Sequence, residues 1–314
     1  MAFGTPPYVL PDNRGAIIAY ADLQFGVEAA SAWTQRVLPA SVSWNGLSWS
    51  GSVFAAVANG TSIAATSPDG ITWTQRAMPV SAAWNDVAWN GTVFCAVAGG
   101  NNTIAATSPD GITWTQRTLP VNGTWVNVTW NGTVFCAISS ASTNTATSPD
   151  GITWTRGTLP ESQAWRRPVW NGSVFCVVTA GAAGKATTSP DGLIWTPATS
   201  FPTGALGMEW NGTVFCAVPS AAGTPAATSP DGINWTVRSI PGNAQWFAIA
   251  WNGTVFCAAA QNQRFAGVSP DGATWKLVSM PQSALWRPIA AGPNGMFAVL
   301  VSSSTIAATS LAPP

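Results

Sequence analysis

The sequence predicts an all-β protein built from one four-stranded antiparallel module used repeatedly. Three observations lead there. Tryptophan recurs with a period of about forty residues. Each period carries two turn signals, Asn-Gly and Ser-Pro-Asp-Gly. Between the signals lie short apolar runs rich in Val, Ile, Thr and aromatics, as strands require.

Residues 82–120 show one copy. A first strand, AWNDVAW, ends at Asn90-Gly91, where a two-residue hairpin is expected with positive φ at both central residues. The second strand is TVFCAV, followed by the loop GGNN and the third strand TIAAT. The turn from Ser108 to Gly111 leads into the fourth, ITWTQR. Pro and Asp suit the centre of a type I turn, and Gly suits the left-handed position after it. Asp69, Asp110, Asp150, Asp191, Asp231 and Asp271 are therefore read as structural turn residues, bonding nearby backbone amides.

Three tryptophan series mark the copies. Trp33, Trp73, Trp114, Trp154, Trp195, Trp235 and Trp275 share the fourth strand. Trp49, Trp89, Trp130, Trp170, Trp210 and Trp251 precede the Asn-Gly or Ser-Gly turn. Trp44, Trp84, Trp125, Trp165, Trp246 and Trp286 open the first strand, with Ala205 in the gap. Four antiparallel strands at this period predict the blades of a β-propeller, and the copies number seven. The last copy, ending at STIAATS, lacks a fourth strand, and residues 32–39 near the N-terminus supply one. The two ends are expected to pair and close the ring, leaving no open sheet edge. The domain reading is an extended arm, residues 1–30, and a propeller, residues 31–314.

Composition excludes several functions. Twelve basic and twelve acidic residues in 314 give no net charge and no basic footprint for nucleic acid. No apolar run approaches a membrane span, and the first residues show no export signal, so the chain is expected to be made in a cytoplasm without membrane insertion. Cys95, Cys136, Cys176, Cys216 and Cys257 recur at one repeat position, too far apart for disulfides or a shared metal. They are expected to be reduced and buried. No cofactor and no metal are expected.

The SPDGITW segment resembles the Asp-box, or BNR, repeat of sialidase-like propellers (S-x-D-x-G-x-x-W), lacking one residue between Asp and Gly. The resemblance recurs across residues 31–314, and it implies the propeller fold with the box as a turn away from the active site. Sialidase chemistry would need a tyrosine nucleophile in the ring, but the only tyrosines are Tyr8 and Tyr20. It would also need an arginine cluster, but Arg36, Arg76, Arg117 and Arg238 repeat on the outer strand. The chain also resembles lectin-like propellers and the variable propellers of phage surface proteins.

Function is expected where the copies diverge, on loops over a rigid frame. The second-to-third strand loops and the starts of the first strands share one face of a propeller. The candidate ligand-binding residues there are Trp84, Asp86, Trp125, Asn127, Trp165, Arg166, Arg167, Trp246, Trp286 and Arg287, with the tryptophans stacking on a sugar and the polar groups bonding its hydroxyls. Each tryptophan could equally cap the core beneath the loops. Outside the turns, the ring holds only Asp86, Glu161 and Glu209 as carboxylates, on different copies, so paired-carboxylate catalysis is not expected. The resulting expectation is a non-catalytic virion or phage tail component. Residues 1–30 would dock it to other virion subunits, and the variable face would meet a host receptor or surface glycan. A free carbohydrate-binding lectin and a purely structural decoration protein are the alternatives.

Overall fold

The computed structural model describes residues 32–181, 184–198 and 201–310. The arm expected at residues 1–30 lies outside them. Six strands set the pattern: β1 (Trp33–Trp49), β2 (Phe54–Ser67), β3 (Thr74–Trp89), β4 (Phe94–Gly99), β5 (Asn102–Ser108) and β6 (Thr115–Trp130). In one blade the second half of β3 pairs with β4, β4 with β5, and β5 with the first half of β6, all antiparallel.

Strands β1, β3 and β6 are long because each leaves the outer edge of one blade and enters the next as its innermost strand. The earlier blades therefore join into one 11-stranded ladder, whereas later ones stand as separate four-stranded sheets, such as Trp246–Trp251 with its three successors. The helical content of the described residues is one 3-10 turn, Pro293–Gly295. No helix among them is long and apolar enough to cross a membrane.

The first and last described strands pair as the sequence requires. Trp33 is opposite Ser310 and Thr34 opposite Thr309, and the pairing continues to Val37 and Ile306. The partner strand, Phe297–Ser310, also pairs with Trp286–Ala291, so both ends share one sheet.

The Ser-Pro-Asp-Gly turns form as expected. Ser67 Oγ accepts from the Gly70 amide at 2.8 Å, and Asp69 Oδ1 accepts from the Ile71 and Thr72 amides at 2.8 and 3.0 Å. Trp73 Nε1 closes the turn by donating to the Gly70 carbonyl at 2.9 Å. The same bonds recur around Asp110, Asp150, Asp191, Asp231 and Asp271. Burial alone would raise the Asp69 carboxyl, but these donors outweigh it and hold the group below its ordinary value.

The Asn-Gly turns differ from expectation. Trp89 pairs with Phe94, so the two central residues are Gly91 and Thr92, not Asn90 and Gly91. Positive φ is needed only at Gly91, where it is 99°. Asn90 stands outside the centre and uses its side-chain oxygen to accept from the Thr92 and Val93 amides at 2.8 and 2.7 Å. Asn131, Asn171, Asn211 and Asn252 repeat this.

The core lies between blades. Phe94 and Trp114 pack at 6.3 Å with Ala55 and Val57 of the preceding blade in one cluster. The five cysteines are free and buried there, and burial pushes every thiol up, which keeps the sulfur protonated and inert.

Candidate functional site

Each innermost strand breaks register just after its opening residue. The shift falls between Trp44 and Gly46, Trp84 and Asp86, Trp125 and Asn127, and Trp246 and Ala248. Such a bulge leaves one residue unpaired and re-aims its side chain. In the copies that read Arg-Pro after the tryptophan, the gap is wider, from Arg166 to Val169 and from Trp286 to Ile289. The bulged residues of different blades thereby converge on one cavity of about 330 Å³ at the variable-loop mouth of a central channel.

The structure brings Asp86, Asn127, Arg166, Arg167 and Arg287 together in this mouth, with Asn45, Asn85 and Phe247 beside them. A ladder of hydrogen bonds ties one blade to the next. Asn45 Nδ2 donates to Asn85 Oδ1 at 3.3 Å, and Asn85 Nδ2 to the Trp125 carbonyl at 2.8 Å. Asn127 Nδ2 and the Val128 amide donate to Asp86 Oδ2 at 3.0 and 3.2 Å. Asn127 Oδ1 in turn accepts from the Arg167 amide at 3.0 Å. Arg167 has φ 27°, a conformation strained for a side-chain-bearing residue and held here by that bond.

The tryptophan part of the expectation is corrected. Trp84, Trp125, Trp246 and Trp286 are 0% exposed and Trp165 1%, so none offers a face to a sugar. The bulge that turns the following residue into the channel keeps the tryptophan itself pointing into the sheet interface. The Trp84 and Trp165 indoles donate to the carbonyls of Val80 and Glu161 at 3.2 and 2.9 Å, so they cap the core beneath the loops.

A second correction concerns the carboxylates. Asp86 and Glu209 belong to different blades, yet the radial arrangement brings both to Arg167. Glu209 Oε2 lies 3.9 Å from Arg167 Nη2, and Arg167 is the charge that acts on Asp86. Burial pushes both carboxyls up, and Arg167 opposes it. Asp86 is 8% exposed and already accepts from Asn127, Val128 and Val87, which makes it a structural strut.

The cations at the mouth are differently placed. Among the described residues, the ion pairs are Arg167 with Glu209 and Lys185 with Glu161, so Arg166 and Arg287 have none. Arg166 Nη1 donates to Ser140 Oγ at 2.9 Å. Arg287 lies 4.7 Å from the Phe247 ring centre, and its buried Nε has no partner. Burial lowers the pKa of both guanidiniums, the mark of charges held away from water without a counterion. Among the described residues no group of three or more His, Cys, Asp or Glu could hold a metal.

No protein-family model matches the chain, and no curated protein matches it by sequence. Solved structures match it in shape. Virginiamycin B lyase from Staphylococcus aureus superposes with a TM-score of 0.77 at 12% identity, covering 89% of this chain and 99% of the lyase. YCF48 bound to D1 peptide superposes at 0.70 with 17% identity, covering 89% of this chain and 94% of its own. The fold is that of a β-propeller. At these identities the likeness extends to the fold alone, and the Asp-box family itself is not reached by any of them.

Asn45, Asn85 and Glu209 stand outside the candidate set that the sequence offers, although all three line the channel. Glu209 had a signal, since it is the charged residue at a repeat position otherwise held by Ser48, Ala88, Thr129, Val169, Ala250 and Ala290.

Proposed function

We propose that the chain is a non-catalytic recognition propeller of seven blades, taking a host receptor or surface glycan at the variable mouth of its channel. The supporting observation is the convergence of the divergent residues. Asn127, Arg166 with Arg167, Phe247 and Arg287 come from four separate blades and meet in one cavity over a nearly invariant frame. Arg166 and Arg287, without carboxylate partners, suit an acidic group or polar hydroxyls on that ligand, and Phe247 offers an aromatic face.

The non-catalytic reading has two supports. A structure of virginiamycin B lyase with quinupristin is described as catalytically inactive after replacement of one histidine by alanine. This chain contains no histidine. The nearest carboxylates, Asp86 and Glu209, are both committed to Arg167. A virion setting, with residues 1–30 docking to other subunits, draws on the sparse charge, the free cysteines and a leading segment outside the repeat.

The test is a glycan array together with binding to whole host cells. Loss of binding in Arg287→Ala and Arg166→Ala, with the melting temperature unchanged, supports recognition at this mouth. Absence of binding by the wild-type chain to any glycan or cell rejects it in favour of an architectural role. Removal of residues 1–30 is expected to release the protein from its particle and leave the ring folded.

A further inference from the structure

The channel has a second mouth, on the side of the Asn-Gly turns. Trp49, Trp89, Trp130, Trp210 and Trp251 line a cavity of about 390 Å³ there, together with Glu209. These tryptophans are half-buried, each packed on a fully buried phenylalanine, as Trp89 is on Phe94 at 4.5 Å. In the other two series most indoles, such as those of Trp84 and Trp114, donate to backbone carbonyls, and only Trp33 and Trp246 are without a partner. None of the five at this mouth has a hydrogen-bond partner among the described residues. A ring of aromatic surface is thus left open around the channel axis.

The floor of this cup is acidic. Glu209 Oε1 accepts from the Trp210 amide at 3.1 Å, and Oε2 is 3.9 Å from Arg167, beyond hydrogen-bonding distance. Arg167 also lines this mouth and acts on Asp86 as well, so two carboxylates share one guanidinium. Arg166 and Arg287 line the opposite mouth and not this one. A small metal ion is not suited to the site, since no cluster of ligating groups accompanies Glu209.

We propose that this second mouth binds an alkylammonium group, with Glu209 as its counter-charge and the tryptophan ring as its aromatic wall. A cation over indole faces is attracted by the ring quadrupole, most strongly where water is excluded and for tryptophan above other aromatics. The entering charge also gives Glu209 a counterion of its own, beside an Arg167 that it shares with Asp86. Small residues at the equivalent positions, Ser48, Ala88 and Ala250, leave the room that the ligand occupies.

Calorimetric titration of the full chain tests this, using tetramethylammonium chloride, N-acetyl-lysine amide and neutral tert-butanol. Saturable binding of tetramethylammonium is expected, weakened at least tenfold by Glu209→Gln, with tert-butanol giving none. Trp210→Phe, a second variant that keeps the packing, is expected to weaken it several-fold. Lysine amide binding as tightly as tetramethylammonium assigns the group to a peptide side chain; weaker binding assigns it to a quaternary small molecule. No saturable heat from either cation, an unchanged affinity in both variants, or equal binding of tert-butanol overturns the proposal. The probes differ from those used at the other mouth, so failure of glycan recognition leaves this titration standing.

Discussion

Gly151 of one blade rests against Cys95 of the blade before it. A Cβ on Gly151 would stand 3.3 Å from Cys95 Sγ and 2.8 Å from Thr107 Cγ2, and the residue has φ 75°. Gly192 and Cys136, Gly232 and Cys176, and Gly272 and Cys216 repeat the contact. The turn glycine and the V-F-C cysteine are therefore one inter-blade joint, written in two places per repeat.

Gly151→Ala should cost more than Gly132→Ala. Gly132 also has positive φ, 99°, but nothing lies within 4 Å of its would-be Cβ. The backbone term alone is about 1–2 kcal/mol, and overpacking at Gly151 adds about 1–3 kcal/mol. Urea denaturation of the two variants checks the difference; equal losses would remove the joint.

The turn aspartates set an acid limit on stability. Their folded pKa values lie below the ordinary one, at Asp231 at about 2. Their contribution is complete above about pH 4 and is lost as the pH falls through the folded values. Asp86 and Glu209 run the other way, being raised, so what they contribute is present at low pH and lost as pH rises through their folded values. The melting temperature should hold or rise slightly from pH 7 toward about 4 and drop below it. A steady fall beginning near neutrality contradicts this balance.

Glu209→Gln should leave the melting temperature at pH 7 unchanged or raise it. Glutamine removes a charge that burial penalises, the Trp210 amide keeps an acceptor, and Arg167 keeps Asp86. A loss of several degrees would show that the Arg167–Glu209 pair holds the channel together.

The five cysteines should resist a thiol reagent in the native protein and react in full after denaturation, since all are buried and all are held as thiols. Mass spectrometry after iodoacetamide treatment counts them.

Trp165→Ala should unfold or strongly destabilise the blade, by about 3–5 kcal/mol for a large buried side chain. Arg287→Ala, at the channel mouth, should not. Thermal melts of both variants separate core from channel-facing residues.

Much of this architecture is local chemistry, and local chemistry can be read from order along the chain. Pro, Asp and Gly at successive positions specify their turn wherever the chain goes, and Ser67 through Trp73 form it with their own atoms. The pairing of Trp33 with Ser310 was legible too, because the last repeat lacks a strand that the N-terminus provides. Asn90 stands outside its turn centre because Asn-Gly admits two registers, and only the partner of Trp89 selects between them.

The sequence by itself determined the repeat, its strands, the turn aspartates and the burial of the cysteines, since each follows from neighbours within one module. Tertiary structure alone decided which side chains share the channel. Trp84 and Asn85 are adjacent in the chain, yet a bulge sends one into the core and the other to the axis. Asp86, Arg167 and Glu209 belong to separate modules and meet only because the modules stand around a common centre. Convergence on an axis is a property of the assembled ring, and no single repeat contains it.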